Sequence, residues 1–135
     1  MSDAIDSSLG ASSAFVQAAG LEITDASGGE VRGHIEAGAG HHTPWGVVHG
    51  GVYASAIETA CSFGASLAVA GAGQYAVGLA NHTEFVRAHR EGRLDAVATP
   101  IHQGRTGQLW QCDLTREDGK LVARGQVRLQ NVARG

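Results

Sequence analysis

The C-terminal part of the chain alternates by twos. From Leu121, the residues Leu121, Ala123, Gly125, Val127 and Leu129 fall on one side and Val122, Arg124, Gln126, Arg128 and Gln130 on the other, the pattern of a half-exposed strand. Gln108 to Arg116 alternates too, with Trp110, Cys112 and Leu114 on one side, and Glu117-Asp118-Gly119-Lys120 between the two runs is a hairpin signal. Leu94 to His102 reads as a strand after the turn Arg90-Glu91-Gly92, and Tyr75 to Ala88 is long enough for one bent strand or two short ones. Near the N-terminus, Ser12 or Ser13 can cap a short helix through Ala19, ended by Gly20. Leu21 to Asp25 and Glu30 to Ala37 are two short strands around Ser27-Gly28-Gly29. Gly38 to Gly46 is a loop.

Between these runs the period changes. Over about Gly50 to Ala70, Val52, Ala56, Thr59, Phe63 and Ser66/Leu67 recur at steps of three and four, as on one helix face. The opposite face is uncharged except at Glu58, and a helix without a solvating face is normally surrounded by protein. Gly71-Ala72-Gly73 ends it. The expected class is α+β: one long apolar helix and five or six mostly antiparallel strands, the sheet wrapped around the helix. One helix cannot cover a whole sheet, so self-association is expected.

Composition narrows this further. The 135 residues suit one domain, residues 11–135, behind a polar tail, residues 1–10. Hydrophobic residues make up 43% and charged residues 17%, with 20 glycines, which excludes a disordered chain, a coiled coil and a disulfide mini-protein. The net charge of -3 argues against a basic nucleic-acid or membrane-surface binder. From Ala37 to Thr83 the single Asp, Glu, Lys or Arg is Glu58. No stretch approaches the roughly 18 apolar residues of a membrane span, and Met1 to Gly10 lacks the basic start and apolar core of a signal peptide. A cytoplasmic protein is expected. Cys61 and Cys112 have no metal-motif spacing and read as buried thiols.

The lone acid is the first candidate for chemistry. Its helical neighbours Ala54, Ser55, Cys61 and Ser62 are small, so a ligand could approach. A buried carboxylate costs several kcal/mol unless paired, so Glu58 meets an arginine from elsewhere, reaches solvent at a subunit edge, or works. His49-Gly50-Gly51 stands just before the helix. Free N–H groups in the first turn suit a developing oxyanion, and a carboxylate eight residues after Gly50 is expected in the same cleft. A polarised carbonyl beside a carboxylate base or nucleophile is the minimum kit for acyl transfer. The same residues are also compatible with a plain cap and a structural histidine. The spacing of His41, His42 and His49 is not specific for a metal, and none is assigned to His34, His82, His89 or His102. No Gly-x-Ser-x-Gly elbow or phosphate loop is present. Arg87, Arg90, Arg93 and Arg105 lie near turns, where they hold phosphates or merely face solvent. Trp45 either walls a ligand pocket or packs.

Gly46-Val47-Val48-His49-Gly50-Gly51, with Glu58 on the following helix, resembles the signature of hotdog-fold acyl-CoA thioesterases. It is nearest the PaaI-type branch that includes 4-hydroxybenzoyl-CoA and 1,4-dihydroxy-2-naphthoyl-CoA thioesterases. The likeness continues through Val77-Gly78-Leu79, Phe85-Val86-Arg87, Arg90-Glu91-Gly92, Pro100, His102, Gly104-Arg105, Gln108-Leu109-Trp110 and Asp118-Gly119-Lys120-Leu121, about residues 15–130. The resemblance implies a hotdog fold, with the Gly50 N–H polarising a thioester carbonyl and Glu58 as nucleophile or general base. It implies that His49 holds the substrate or the loop, and that Thr43, Trp45, Gly51 and Ser62 contact the substrate. Arg87, Arg90, Arg105 and Thr106 would meet the CoA phosphates. Thr43 stands where the family often has Gln or Asn. Sites in the family form between two subunits, so a dimer or tetramer is implied, with no metal and no cofactor beyond the CoA of the substrate. Two other readings fit the same fold: an enoyl-CoA hydratase or dehydratase using His49 with an acid, and a non-catalytic acyl-CoA binding protein.

Overall fold

A short N-terminal helix forms where the cap chemistry places it. Ser13 Oγ accepts the Val16 N–H at 3.4 Å, α1 runs Ala14–Ala19, and Gly20 closes it in the left-handed region at φ 92°. The computed structural model describes residues 13–135; the expected tail, residues 1–10, lies outside the described residues. Strands β1 (Glu22–Ala26) and β2 (Val31–Ala37) follow. Their turn is tied by Ser27 Oγ, which accepts the N–H groups of Gly29 and Glu30 at 3.1 and 3.2 Å. A single 3-10 turn, Ala39–His41, leads into the loop before helix α2 (Gly50–Val69). A second such turn, Ala70–Ala72, and Gly73 at φ 73° end the helix. The remaining strands are β3 (Gln74–Phe85), β4 (Gly92–Gln103), β5 (Gly107–Arg116) and β6 (Leu121–Ala133).

The six strands make one antiparallel sheet in the order β1-β2-β4-β5-β6-β3, so β1 and β3 are its edges. Its inner face packs on α2. Ile35, Leu94, Trp110, Leu114, Val127 and Leu129 are buried there against Ile57, Cys61 and Ala65. The approach is close because Gly64 lacks a side chain: a Cβ there would stand 2.5 Å from the Trp110 ring.

Three expectations are corrected. The buried face of α2 is Tyr53, Ala56, Ile57, Ala60, Cys61, Gly64, Ala65 and Ser66, about one position along from the face read off the sequence. Val52, Thr59, Phe63 and Leu67 are only half-buried. Almost every position of this helix is small or apolar, so the sequence offers little contrast by which to orient it. Second, the sheet packs around α2 as expected but does not enclose it on all sides: Ala54, Ser55, Glu58, Thr59 and Ser62 remain partly open, against the expectation of a helix surrounded by protein. Third, Gly50–Ala72 is long and apolar enough to cross a membrane by length and composition, against the expectation that no stretch is. In this fold its apolar face is occupied by the sheet.

Register shifts interrupt four of the five strand pairs, at Thr24, Leu79, Ile101 and Val122, and two of them bear on the core and the site. In β6, the register shifts opposite Leu114 and Thr115, and Val122 joins Ala123 in the interior. In β3, Gly78 pairs with Leu129 and Ala80 with Arg128, so Leu79 is the extra residue. Before it the inward positions are Ala76 and Gly78; after it they are Asn81, Thr83 and Phe85, opposite Val127, Gly125 and Ala123.

Candidate active site

The start of α2 is organised by His49. Its Nδ1 accepts the Gly51 N–H at 2.7 Å, and its carbonyl accepts the Val52 N–H at 2.9 Å. An accepting Nδ1 places the proton of a neutral ring on Nε2. Gly51 therefore spends its N–H within the chain rather than on a substrate. Among the described residues the Gly50 N–H has no acceptor, and it stands at the positive end of the helix dipole. The Phe85 ring lies directly on Gly50, where a Cβ would be 2.5 Å from the ring, and stacks tilted against Tyr53 with centroids 5.9 Å apart.

The preceding loop is held by its histidines. His41 Nδ1 accepts the Gly38 N–H at 3.2 Å, His42 Nε2 lies 2.6 Å from the Arg90 carbonyl, and His89 Nε2 lies 3.1 Å from the Gly92 carbonyl. Each of these three rings uses one nitrogen on backbone, and among the described residues no three ligand side chains gather. Thr43 begins the turn to Gly46, and its Oγ1 accepts the Trp45 N–H at 3.2 Å. Trp45 itself is 82% exposed, so within one chain it neither packs nor walls a pocket.

Glu58 projects into an open cleft lined by Phe15, Ala54, Ser55, Thr59, Asn81, Thr83 and Phe85. The arginine expected as one possible partner is not there. Instead Asn81 Nδ2 donates to Glu58 Oε1 at 3.0 Å and to the Ala54 carbonyl at 3.1 Å, while Asn81 Oδ1 accepts the Thr83 hydroxyl at 2.7 Å. The other carboxylate oxygen, Oε2, lies over Gly78, where any Cβ would overlap it. Gly78 and Phe85 entered the sequence reading only through the resemblance, and Asn81 and Thr83 escaped it. The inserted Leu79 hides them, because an unbroken period of two from Ala76 turns Asn81 outward.

The other expected site residues are dispersed. Gly50 and Glu58 do not share a cleft within one chain: eight residues of helix rise roughly 12 Å, and Gly50 is not among the residues lining the Glu58 cleft. Ser62 sits a turn beyond Glu58, half-buried, outside that lining; Ser55 and Thr59 take its place. The four residues expected at CoA phosphates fall into two groups. Arg87 and Arg90 precede β4 and donate to the carbonyls of Leu121 (2.7 Å) and Gly46 (3.1 Å). Arg105 and Thr106 follow β4 and line a separate groove with Leu79, His102 and Arg128. The 12 residues of β4 between them extend roughly 40 Å, too far for one phosphate group. Arg93 is paired with Asp95 at 2.8 Å.

The turn that carries Arg105 and Thr106 is fixed from below. Asn131 Nδ2 donates to the carbonyls of Gly104 and Arg105 at 3.1 and 3.2 Å, and Asn131 N to that of Thr106 at 2.9 Å. Gln108 Nε2 donates to Asn131 Oδ1 (2.8 Å) and to the Ala65 carbonyl (3.0 Å), and Gln108 Oε1 accepts the Trp110 indole N–H at 2.8 Å. Cys61 and Cys112 are buried free thiols, as read from the sequence. Burial pushes both thiols up, Cys112 to about 12, so neither is a nucleophile near neutral pH.

A profile of the thioesterase superfamily matches residues 45–123, more than half of the chain and the whole stretch from Trp45 through α2 into β6. The chain belongs to the thioesterase superfamily. An esterase-named protein of Mycobacterium tuberculosis is 47% identical over 89 residues, 64% of each chain. The chain thus spans about two thirds or less of the length of that relative in the match. A 1,4-dihydroxy-2-naphthoyl-CoA hydrolase of Listeria monocytogenes is 30% identical over 103 residues, 76% of this chain and 83% of its own. Among solved structures, the M. tuberculosis esterase superposes with a TM-score of 0.86 at 37% identity, covering 90% of this chain and 98% of that one. A thioesterase of Haemophilus influenzae gives 0.84 at 32% identity, covering 90% and 85%. The expected hotdog fold is the fold observed.

Proposed function

We propose that this member of the superfamily hydrolyses an acyl-CoA thioester to CoA and a carboxylic acid. The observation that carries the reading is a lone carboxylate, Glu58, held by an amide in an open cleft on a helix whose first N–H, that of Gly50, is unspent. Acting as base, Glu58 takes a proton from water as the water oxygen adds to the thioester carbonyl. The carbonyl oxygen becomes an oxyanion and accepts the Gly50 N–H. Collapse breaks the C–S bond, and the proton on Glu58 passes to the departing CoA sulfur. Acting as nucleophile, Glu58 adds to the carbonyl itself, expels CoA thiolate and forms an anhydride that water cleaves. Either course consumes one water and needs no cofactor; CoA enters as part of the substrate.

The separation of Gly50 from Glu58 supports a site shared by two copies, each bringing its Gly50 to the other's Glu58. The exposed edge and inner side of β3, where every residue from Gly78 to Phe85 except Thr83 is exposed, and the half-covered face of α2 are the surfaces a second copy would cover. Phe15 and Phe85 in the cleft, together with the names of the naphthoyl-CoA hydrolases among the relatives, favour an aromatic acyl group. Arg105 with Thr106, and separately Arg90, are the candidates for CoA phosphates.

Free-thiol release over aryl-, branched-, short- and long-chain acyl-CoAs tests activity and substrate together. Glu58→Gln is expected to lower turnover at least about 100-fold, the scale of a lost acid–base group. Unchanged turnover in that variant rules the assignment out. Water addition to an enoyl-CoA without CoA release would select the hydratase instead. Sedimentation across a dilution series tests the shared site: single chains should be inactive.

A further inference from the structure

We propose that Asn81 is a positioning residue for Glu58 and that Thr83 sets its orientation. This rests on the reading of Glu58 as the group that acts on the thioester.

The argument begins with the valence of the amide. Asn81 Nδ2 carries two hydrogens and meets two acceptors, the Ala54 carbonyl and Glu58 Oε1, at 3.1 and 3.0 Å. Its Oδ1 meets a hydroxyl, Thr83 Oγ1, at 2.7 Å. Turning the amide over would set its oxygen against a carbonyl and a carboxylate, neither of which can donate. The orientation is therefore fixed by chemistry. The Ala54 carbonyl is part of the α2 backbone, four residues before Glu58, so the amide bridges a fixed point of the helix to the tip of a side chain that otherwise turns about three torsions. A bond to an ionised carboxylate is stronger than a neutral one. It restrains Oε1 and leaves Oε2, over Gly78, as the oxygen free to take a proton or attack.

The backbone is arranged for this contact. Only the extra residue at Leu79 brings Asn81 and Thr83 to the helix side of β3. Within one chain Asn81 is exposed on an edge strand, a place where a side-chain hydrogen bond adds little to the folding of that chain. Its effect should therefore appear in catalysis rather than in stability.

The test compares purified variants for thiol release. Asn81→Leu is expected to lower kcat about tenfold with KM within about twofold and the melting temperature within a few degrees. Thr83→Val should lower kcat about threefold, and Thr83→Ser, which restores the hydroxyl, should recover it. In the Glu58→Gln background, Asn81→Leu should cost nothing further, because the carboxylate it positions is gone. Unchanged kcat in Asn81→Leu beside an inactive Glu58→Gln overturns this inference and leaves the thioesterase reading standing. So does an equal loss in both backgrounds, or a Thr83→Ser protein no better than Thr83→Val. Full activity in Glu58→Gln overturns the reading of Glu58 itself. The Thr83 pair carries the test if Asn81→Leu does not fold.

Discussion

Two side-chain amides reach helix α2 from the sheet, and they do so in the same way. Gln108 donates one N–H to the Ala65 carbonyl and the other to Asn131; Asn81 donates one to the Ala54 carbonyl and the other to Glu58. Around Gln108 every group is sealed: Gln108 is 2% exposed, the Trp110 indole is fully buried, and each donor has its acceptor. Around Asn81 the cleft is open and ends in a carboxylate. A sealed network must be complete, since each unmatched group costs about 1–3 kcal/mol. An open one can exchange a partner for water at small cost. The closed end of the helix is thus built for stability, and the open end can afford a reactive group.

Breaking either end should move one readout and not the other. The largest effect is on activity at the open end: Glu58→Gln loses at least about 100-fold in turnover while its denaturation curve stays close to that of the parent. The counterpart is Gln108→Met, which keeps volume but strands the Trp110 N–H and Asn131 Oδ1. Urea unfolding should show a loss of about 3 kcal/mol, and labelling of Cys61 and Cys112, which requires opening of the core, should speed up about 100-fold. Activity per folded molecule should fall far less than in Glu58→Gln. Gly78→Ala comes next. Its new methyl displaces the flexible Glu58 carboxylate rather than backbone, so turnover should fall about tenfold with little change in melting temperature. The smallest effect lies outside both networks. Arg116, 2.7 Å away, holds the exposed Asp118 carboxyl at about 2, below its ordinary 3.8. A lowered folded-state value stabilises above the unfolded value and loses that contribution as pH falls. Asp118→Asn should therefore unfold slightly more easily than the parent near neutral pH, and the difference should vanish as acid takes the pH from about 4 to 2.

Much of the fold could be read from the chain. The cap at Ser13, the alternation in β5 and β6, and the long helix all express local preferences that tertiary packing reinforces. The site was legible in part. Glu58 stands out because it is the one charge in a long uncharged run, and His49-Gly50-Gly51 because the first turn of a helix carries N–H groups without an intrahelical acceptor. What failed did so for identifiable reasons. A helix of mostly small apolar residues gives little indication of which side will be buried. The rise of α2 parts Gly50 from Glu58, and the length of β4 parts Arg90 from Arg105. Asn81 was invisible because a bulge adds one residue to a count that assumes none.

That extra residue gives β3 two reading frames. Upstream of Leu79, even-numbered side chains address the helix; downstream, odd-numbered ones do. Deleting Leu79 would remove the bulge and keep every downstream pair with β6, so Asn81, Thr83 and Phe85 would still address the helix from a strand that now alternates regularly. Drawing Leu79 into the ladder instead, by a one-residue slip of the downstream half against β6, would turn His82 and Glu84 toward the helix and send Asn81, Thr83 and Phe85 to the far side of the sheet. The cleft would then lose its amide and its aromatic wall together. The site thus hangs on the register of β3 rather than on the residue that fills the bulge.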